Sequence, residues 1–285
     1  MNNILLLTDF SDLSGYARSL ADKVAYHSGA KLHILKIVDV PSEIEINSSG
    51  ELGDGMGDDM HPLNEEKQKS EEQIVSWVED LKSSTKTTVV YGRLLQTIHD
   101  YIEQNDIELV VMGTHGVSGM RELLSGSVTE HVILKNSVPV LSLKCQRDNI
   151  DFSDFLITGD FEEENTEHLE LLKQLQKVFK SKMHLLWVNT KSRFCTTSEA
   201  MTRMKRFAQL NRLENVEFHI YNDKTIEDGI VNFSNNYDAT HQLDIDIIAV
   251  EKKKKSQLGY MLTGCQATHF VNHIFRPIIT YTKAS

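Results

Sequence analysis

The sequence predicts an α/β protein built from two tandem, doubly wound domains. Three observations lead there. A chain of 285 residues suits two domains of about 140 residues better than a single core. Short apolar runs alternate with amphipathic stretches of helical spacing. The whole pattern also occurs twice. "DIELVVMGTHGVSGMRELLSGSVTEHVILKNSVPVLSL" from Asp106 lies without a gap over "DIDIIAVEKKKKSQLGYMLTGCQATHFVNHIFRPIITY" from Asp244, so that Gly126 meets Gly264, His131 meets His269 and Pro139 meets Pro277. Earlier in each half, "LLTDFSDLSGYARSLADKVAYHSGAKLHILKIV" lies over "ITGDFEEENTEHLELLKQLQKVFKSKMHLLWVN", so that Asp9 meets Asp160 and His33 meets His184. Self-similarity over this length marks a duplication.

The first copy can be read element by element. "ILLLTDF" is a short buried strand, "GYARSLADKVAYHSG" has helical spacing and a glycine stop, and "KLHILKIVDV" is the second strand. "HPLNEEKQKSEEQIVSWVEDLKS" follows as a helix, "TTVVYG" as a strand, "LQTIHDYIEQND" as a helix and "IELVVMG" as a strand. "SVTEHVILKNS" and "VPVLSLK" supply the last helix and strand. Five strands separated by helices imply a parallel sheet covered on both faces, with right-handed crossovers and ligands at the carboxyl ends of the strands. The polar stretch "KCQRDNIDFSD" separates the copies, giving expected domains of 1–146 and 150–285. Residues 41–66 are acidic, glycine-bearing and free of lysine and arginine, which reads as a mobile loop. Gly53, Gly55 and Gly57 follow no strand and open no helix, so they make no dinucleotide fingerprint.

Composition narrows the function. A net charge of −11 offers no general basic face for nucleic acid or an anionic membrane. The apolar run after Asn3 is too short for a signal peptide or a membrane span, so a cytoplasmic protein is expected. Cys145, Cys195 and Cys265 form no CxxC pair and read as reduced thiols. Cys265, His269 and His273 recur every four residues and would line one helix face, a weak zinc candidate set against a packed face with polar tips.

The segment "VVMGTHGVSGMRELLSGSV" carries the chemistry. Gly113 ends a strand, and Gly116 lets the backbone turn and approach a ligand without a Cβ in the way. Gly126-Ser127 opens a helix whose first amides lack partners and can face an anion, although Ser127 to Glu130 also matches a capping box. The spacing Gly113-x2-Gly116-x9-Gly126-Ser127 resembles the nucleotide-binding motif of the universal stress proteins, in the subgroup that binds ATP. That resemblance implies two Rossmann-like domains with strand order 3-2-1-4-5, and ATP (or ADP or AMP) bound with Mg2+ in a stress-response regulator. It would put Asp9 near the ribose, the backbone of Ile37 near the adenine, Met112 and Gly113 near the sugar, and Gly116, Gly126, Ser127, Val128 and Thr129 around the phosphates. Val117 departs from it, standing where relatives often carry arginine.

The second copy departs further. Glu251 replaces Gly113, Lys254 replaces Gly116 and Cys265 replaces Ser127, so this half is expected to be empty of nucleotide. A catalytic reading would require a metal-holding acid and a base beside the phosphates. Asp9, His115 and Glu130 are its only candidates, and neither GxxxxGK[ST] nor SGGxDS occurs. Weak ATP hydrolysis is therefore the most that is expected of it as an enzyme, and a scaffold without nucleotide is the alternative. The matched edges "VPVLSLK" and "RPIITYT" are expected to pair antiparallel, making one chain a covalent pseudo-dimer. A protein partner and a homodimer are further expectations.

Overall fold

The computed structural model describes residues 1–42, 44–46, 52, 61–114, 128–143, 150–161, 169–236, 243–252 and 276–282. They form two compact units, 1–138 and 139–285. The first contains β1 (Asn3–Leu7), α1 (Asp12–Ser28), β2 (Lys31–Asp39), α2 (His61–Val78), β3 (Thr85–Gly92), α3 (Leu94–Gln104), β4 (Leu109–Gly113) and α4 (Val128–Lys135). The second contains β5 (Val140–Leu143), β6 (Asp154–Thr158), α5 (Leu169–Phe179), β7 (Lys182–Asn189), α6 (Thr197–Leu210), β8 (Val216–Asn222), α7 (Ile226–Asn236), β9 (Ile247–Lys252) and β10 (Ile278–Thr282).

In the first unit the strands run parallel in the order β3-β2-β1-β4. β1 is central: Ile4 lies opposite both Leu32 and Leu109, and Ile4, Leu5 and Leu6 are fully buried. Burial on both faces explains why this strand reads as an unbroken apolar run rather than an alternation. β3 is an outer strand, and its "TKTTVV" is correspondingly polar and part-exposed.

Helix α1 shows how local sequence sets the frame. Ser11 caps it, accepting from the Ser14 amide, and Gly29 ends it at φ +72°, donating to the Ala25 carbonyl. Between them Ala17, Leu20, Ala21, Val24 and Ala25 fall on one face and are buried. Burying Leu20 and Val24 contributes about 1.5–3 kcal/mol each, and the small alanines let the helix lie close to the sheet.

The second unit has the order β5-β10-β9-β6-β7-β8. β6 to β10 are parallel and reproduce the expected 3-2-1-4-5 order of one copy. β5 joins them antiparallel to β10, with Leu141 opposite Ile279 and the Ser142 hydroxyl donating to the Ile278 carbonyl at 3.3 Å. The sequence places the domain divide at 146–150. The compact units meet at 138/139, so that β5 counts with the second. Matching positions keep matching geometry: Phe10 and Phe161 both have positive φ (61° and 50°). Each lies edge-on to an aromatic of its copy's second crossover helix, Phe10 on Trp77 of α2 and Phe161 on Phe207 of α6. Residues 43, 47–51 and 53–60 of the acidic loop lie outside the described residues. Among the described residues, no helix is long and apolar enough to cross a membrane.

Candidate functional site

A cavity of about 300 Å³ opens in the first unit at the carboxyl ends of β1, β2 and β4, where a doubly wound sheet binds its ligands. Asp9, Ile37, Met112, Gly113 and Val128, five of the residues expected from the sequence, line it. Thr129 is buried at the start of α4 beside Val128 and is not part of the lining. Gly116, Gly126 and Ser127 lie outside the described residues, as do Cys265, His269 and His273.

Asp9 follows the last residue pair of β1, and a small hydroxyl network fixes its carboxylate. Its Oδ1 accepts from the Ser11 amide at 3.0 Å, the Ser11 hydroxyl at 2.6 Å and the Ser14 hydroxyl at 2.5 Å. Its Oδ2 is buried with no hydrogen-bond partner among the described residues. Burial alone would raise the carboxyl pKa, but the bonds from Ser11 and Ser14 outweigh it and hold Asp9 below the usual carboxylate value. The result is an ionised acid with one saturated oxygen and one unsatisfied oxygen, in a residue that lines a cavity.

The resemblance implies adenine beside the Ile37 backbone, and the strand pairing shows which way that backbone faces. The last β1–β2 pair is Leu7 with Leu35. Just beyond it, the Leu35 carbonyl accepts from the Thr8 amide at 3.1 Å, so Leu35 turns its polar groups toward the β1 side. Alternation along a strand then directs the amide and carbonyl of Ile37 to that same side, two residues past the end of the β1 ladder and at the cavity. A donor and an acceptor there match the edge of a planar heterocycle.

Gly113 serves a purpose the sequence does not reveal. A Cβ at this position would sit 3.0 Å from the Leu13 Cβ and 3.2–3.3 Å from the backbone carbon and oxygen of Leu13. The glycine therefore lets the first turn of α1 press against the end of β4, which holds Asp9, Ser11 and Ser14 in register with the cavity wall.

Further lining residues escape sequence reasoning. Ser11 and Ser14 are foreshadowed by "DFSDLSG", a helix-start pattern. Lys36 and Glu66, joined at 3.0 Å, carry no local signal because they lie on β2 and α2. Asp39 lines the mouth and accepts from the Leu94 amide at 3.1 Å, satisfying the start of α3 where the N-cap residue Arg93 makes no side-chain capping bond. The described lining thus holds the acids Asp9, Asp39 and Glu66 against the single cation Lys36. This end of the cavity suits hydroxyl and amine donors rather than phosphate.

The matching place in the second unit is nearly closed. Thr158, Gly159, Asp160, Leu186, Trp187, Val188, Arg193 and Ile226 leave a space of only about 20 Å³. Trp187 stands where the first copy has Lys36 and is buried beneath the Arg203 guanidinium, 5.5 Å from its ring. The Arg193 guanidinium lies 3.8 Å from Asp160, the counterpart of Asp9. Bulk and a local ion pair fill this half, whatever the side chains of Glu251 and Lys254 do.

Fold and cavity together define a doubly wound α/β protein with a ligand-sized pocket at the carboxyl ends of the first unit's strands. The model of the universal stress protein family matches residues 1–144. The universal stress protein MJ0531 of Methanocaldococcus jannaschii is 30% identical over 143 residues, 50% of this chain and 81% of that protein. MJ0577 of the same organism is 37% identical over 82 residues, 29% of this chain, so the chain spans about half (51%) of that relative's length. A universal stress protein from Archaeoglobus fulgidus superposes with a TM-score of 0.69 at 18% identity, covering 100% of this chain and 97% of its own. The chain belongs to the universal stress protein family.

Proposed function

We propose that the first unit binds ATP or a related adenine nucleotide, ADP or AMP, and that the protein acts as a cytoplasmic stress-response regulator of the ATP-binding subgroup. The observation that carries this reading is the buried Asp9 Oδ2, without a partner among the described residues, in a residue lining a cavity of about 300 Å³, at the lower end of the range of about 300–1,000 Å³ for small-molecule sites. A ribose hydroxyl would donate to that oxygen, and the heterocycle would meet the amide and carbonyl of Ile37. The phosphates would extend toward the start of α4 at Val128 and Thr129 and the glycines before it, with Mg2+ offsetting charge that the acidic lining cannot. The second unit, with its space filled by Trp187 and Arg193, takes no nucleotide.

Calorimetric titration of nucleotide-free protein with ATP, ADP and AMP, with and without Mg2+, tests this. One site per chain is expected; no binding by any of the three removes nucleotide from the account, and two sites remove the asymmetry. A homodimer and a protein partner belong to the same reading. Sedimentation of the protein with and without ATP tests whether nucleotide changes its self-association.

A further inference from the structure

The second unit carries a cluster of side chains, on β7 and β8, that lines neither of these cavities. His184 on β7 is fully buried, and its neighbour β8 presents Glu217 and His219 at alternate positions of one face. The His184 Nδ1 lies 2.9 Å from the His219 Nε2 and 3.5 Å from the Glu217 Oε2, and that oxygen lies 3.9 Å from the His219 Nε2. These three atoms face one another, and each is a competent metal ligand.

We infer that His184 Nδ1, His219 Nε2 and Glu217 Oε2 form a site for one divalent transition metal ion of the zinc class, with a water molecule in the fourth position. Bond lengths of about 2.0–2.1 Å around a tetrahedral ion place its ligand atoms about 3.3–3.4 Å apart. The three separations bracket that value, so small rotations of the rings and of the exposed Glu217 suffice to close the site. Two imidazoles and a carboxylate favour zinc and its first-row neighbours over calcium or magnesium, which prefer oxygen.

The surroundings orient the ligands. Asp154 on β6 sits 2.8 Å from the His184 Nε2. A carboxylate accepts only, so the Nε2 carries a proton and Nδ1 is the nitrogen left to face the ion. Lys182 donates to the Glu217 Oε1 at 2.8 Å and leaves Oε2 for the ion.

The duplication supplies an internal control. The first copy keeps the histidine as His33, but there Lys86 pairs with it and Thr88 with Leu35, where the second copy has Glu217 and His219, and Asn3 stands where Asp154 does. His33 there contacts the Tyr101 hydroxyl at 3.1 Å. Three differences on two strands convert one ordinary buried histidine into a ligand set with its orienting acid, and none of this depends on nucleotide binding by the first unit.

The test uses full-length, untagged, metal-stripped protein titrated with Zn2+ against a chromophoric chelator, and with Co2+ followed by its visible ligand-field bands. One ion per chain and a four-coordinate Co2+ spectrum are expected. His219→Gln and Glu217→Gln should each weaken Zn2+ binding at least tenfold, and Asp154→Asn about 10- to 100-fold, with circular dichroism unchanged. Glu217 is exposed, so its variant tests the site without a packing defect. The Cys265→Ser, His269→Gln, His273→Gln triple variant should bind as the parent does. Absence of binding by the parent protein, parental affinity in both Glu217→Gln and His219→Gln, or loss of binding only in the triple variant would each overturn the site.

Discussion

Replacing Asp9 by asparagine separates the two oxygens of one carboxylate. The amide oxygen can still accept from Ser11 and Ser14 as Oδ1 does, so the helix start keeps its acceptor. The buried Oδ2 becomes an NH2 donor, which cannot accept a hydroxyl proton. A hydrogen bond to a charged group is worth about 1.5–3 kcal/mol, so ATP affinity should fall about 10- to 150-fold. Stability should change by no more than about 1–2 kcal/mol, because the weakened bonds are offset by the lost cost of burying a charge. The assay is a double-mutant cycle by calorimetry, with parent and Asp9→Asn proteins each titrated with ATP and with its 2′-deoxy and 3′-deoxy analogues. The parent should discriminate against at least one analogue, and the variant should lose that discrimination. If Asp9→Asn binds ATP like the parent, or discriminates as well as it does, the carboxylate does not read the ribose.

Gly113→Ala should destabilise the first unit by about 1–3 kcal/mol, lowering its melting temperature by roughly 3–10 °C, because the new methyl meets the Leu13 backbone at 3.2–3.3 Å; an unchanged melt would show that α1 gives way freely. Ile279→Pro removes a ladder donor from a strand flanked by β9 and β5 and should cost about 3 kcal/mol or more, seen in chemical denaturation of the full chain; parental stability would count against the register. Because the folded Asp9 pKa lies below its ordinary value, its ionisation stabilises the fold above about pH 3.9 and that contribution disappears as pH falls through the folded value. The stability of the parent relative to Asp9→Asn should therefore decline on acidification through that window, as followed by urea unfolding at successive pH values; a constant difference would mean that the Ser11 and Ser14 bonds do not favour the charged form.

What the sequence reveals depends on how far apart the participants lie. The alternation of elements, the duplication and the Asp9/Asp160 correspondence are legible because each rests on a local pattern. Ser11 and Ser14 are legible as a helix start, but their service to Asp9 is not, since that depends on how the chain turns at Phe10. Gly113 reads naturally as a place for ligand approach, and the structure adds a helix that needs the same absent Cβ. The second half reads as empty because of Glu251 and Lys254. In the structure, however, the space beside Asp160 is taken by Trp187 and Arg193, an indole in a strand and an arginine in the loop after it, neither of which looks like an obstruction in sequence. His184, Glu217 and His219 are invisible to any short motif, because only the parallel register of β7 and β8 brings residues more than thirty positions apart onto one face.

The two copies therefore differ at opposite ends of equivalent strands, and this bears on how a duplicated domain can take a second role. At the carboxyl ends the first copy leaves a cavity of about 300 Å³ and the second about 20 Å³. Toward the amino ends of β7 and β8, as far as the middle of β8 at His219, the second copy gathers two imidazoles and a carboxylate, whereas the first has a histidine, a lysine and a threonine. Neither difference requires the backbone to change, since the register of β1 with β2 is repeated by β6 with β7. A sheet whose core strands are held by apolar residues such as Leu5, Leu32, Leu156 and Leu185 can vary its strand ends at little cost in stability. Binding at one end consequently need not compete with binding at the other. Zn2+ affinity should be the same in the parent and in Asp9→Asn, and ATP affinity the same in the parent and in Glu217→Gln. Coupling of more than about tenfold in either direction, which corresponds to about 1.4 kcal/mol between sites, would mean that the strands transmit more than position.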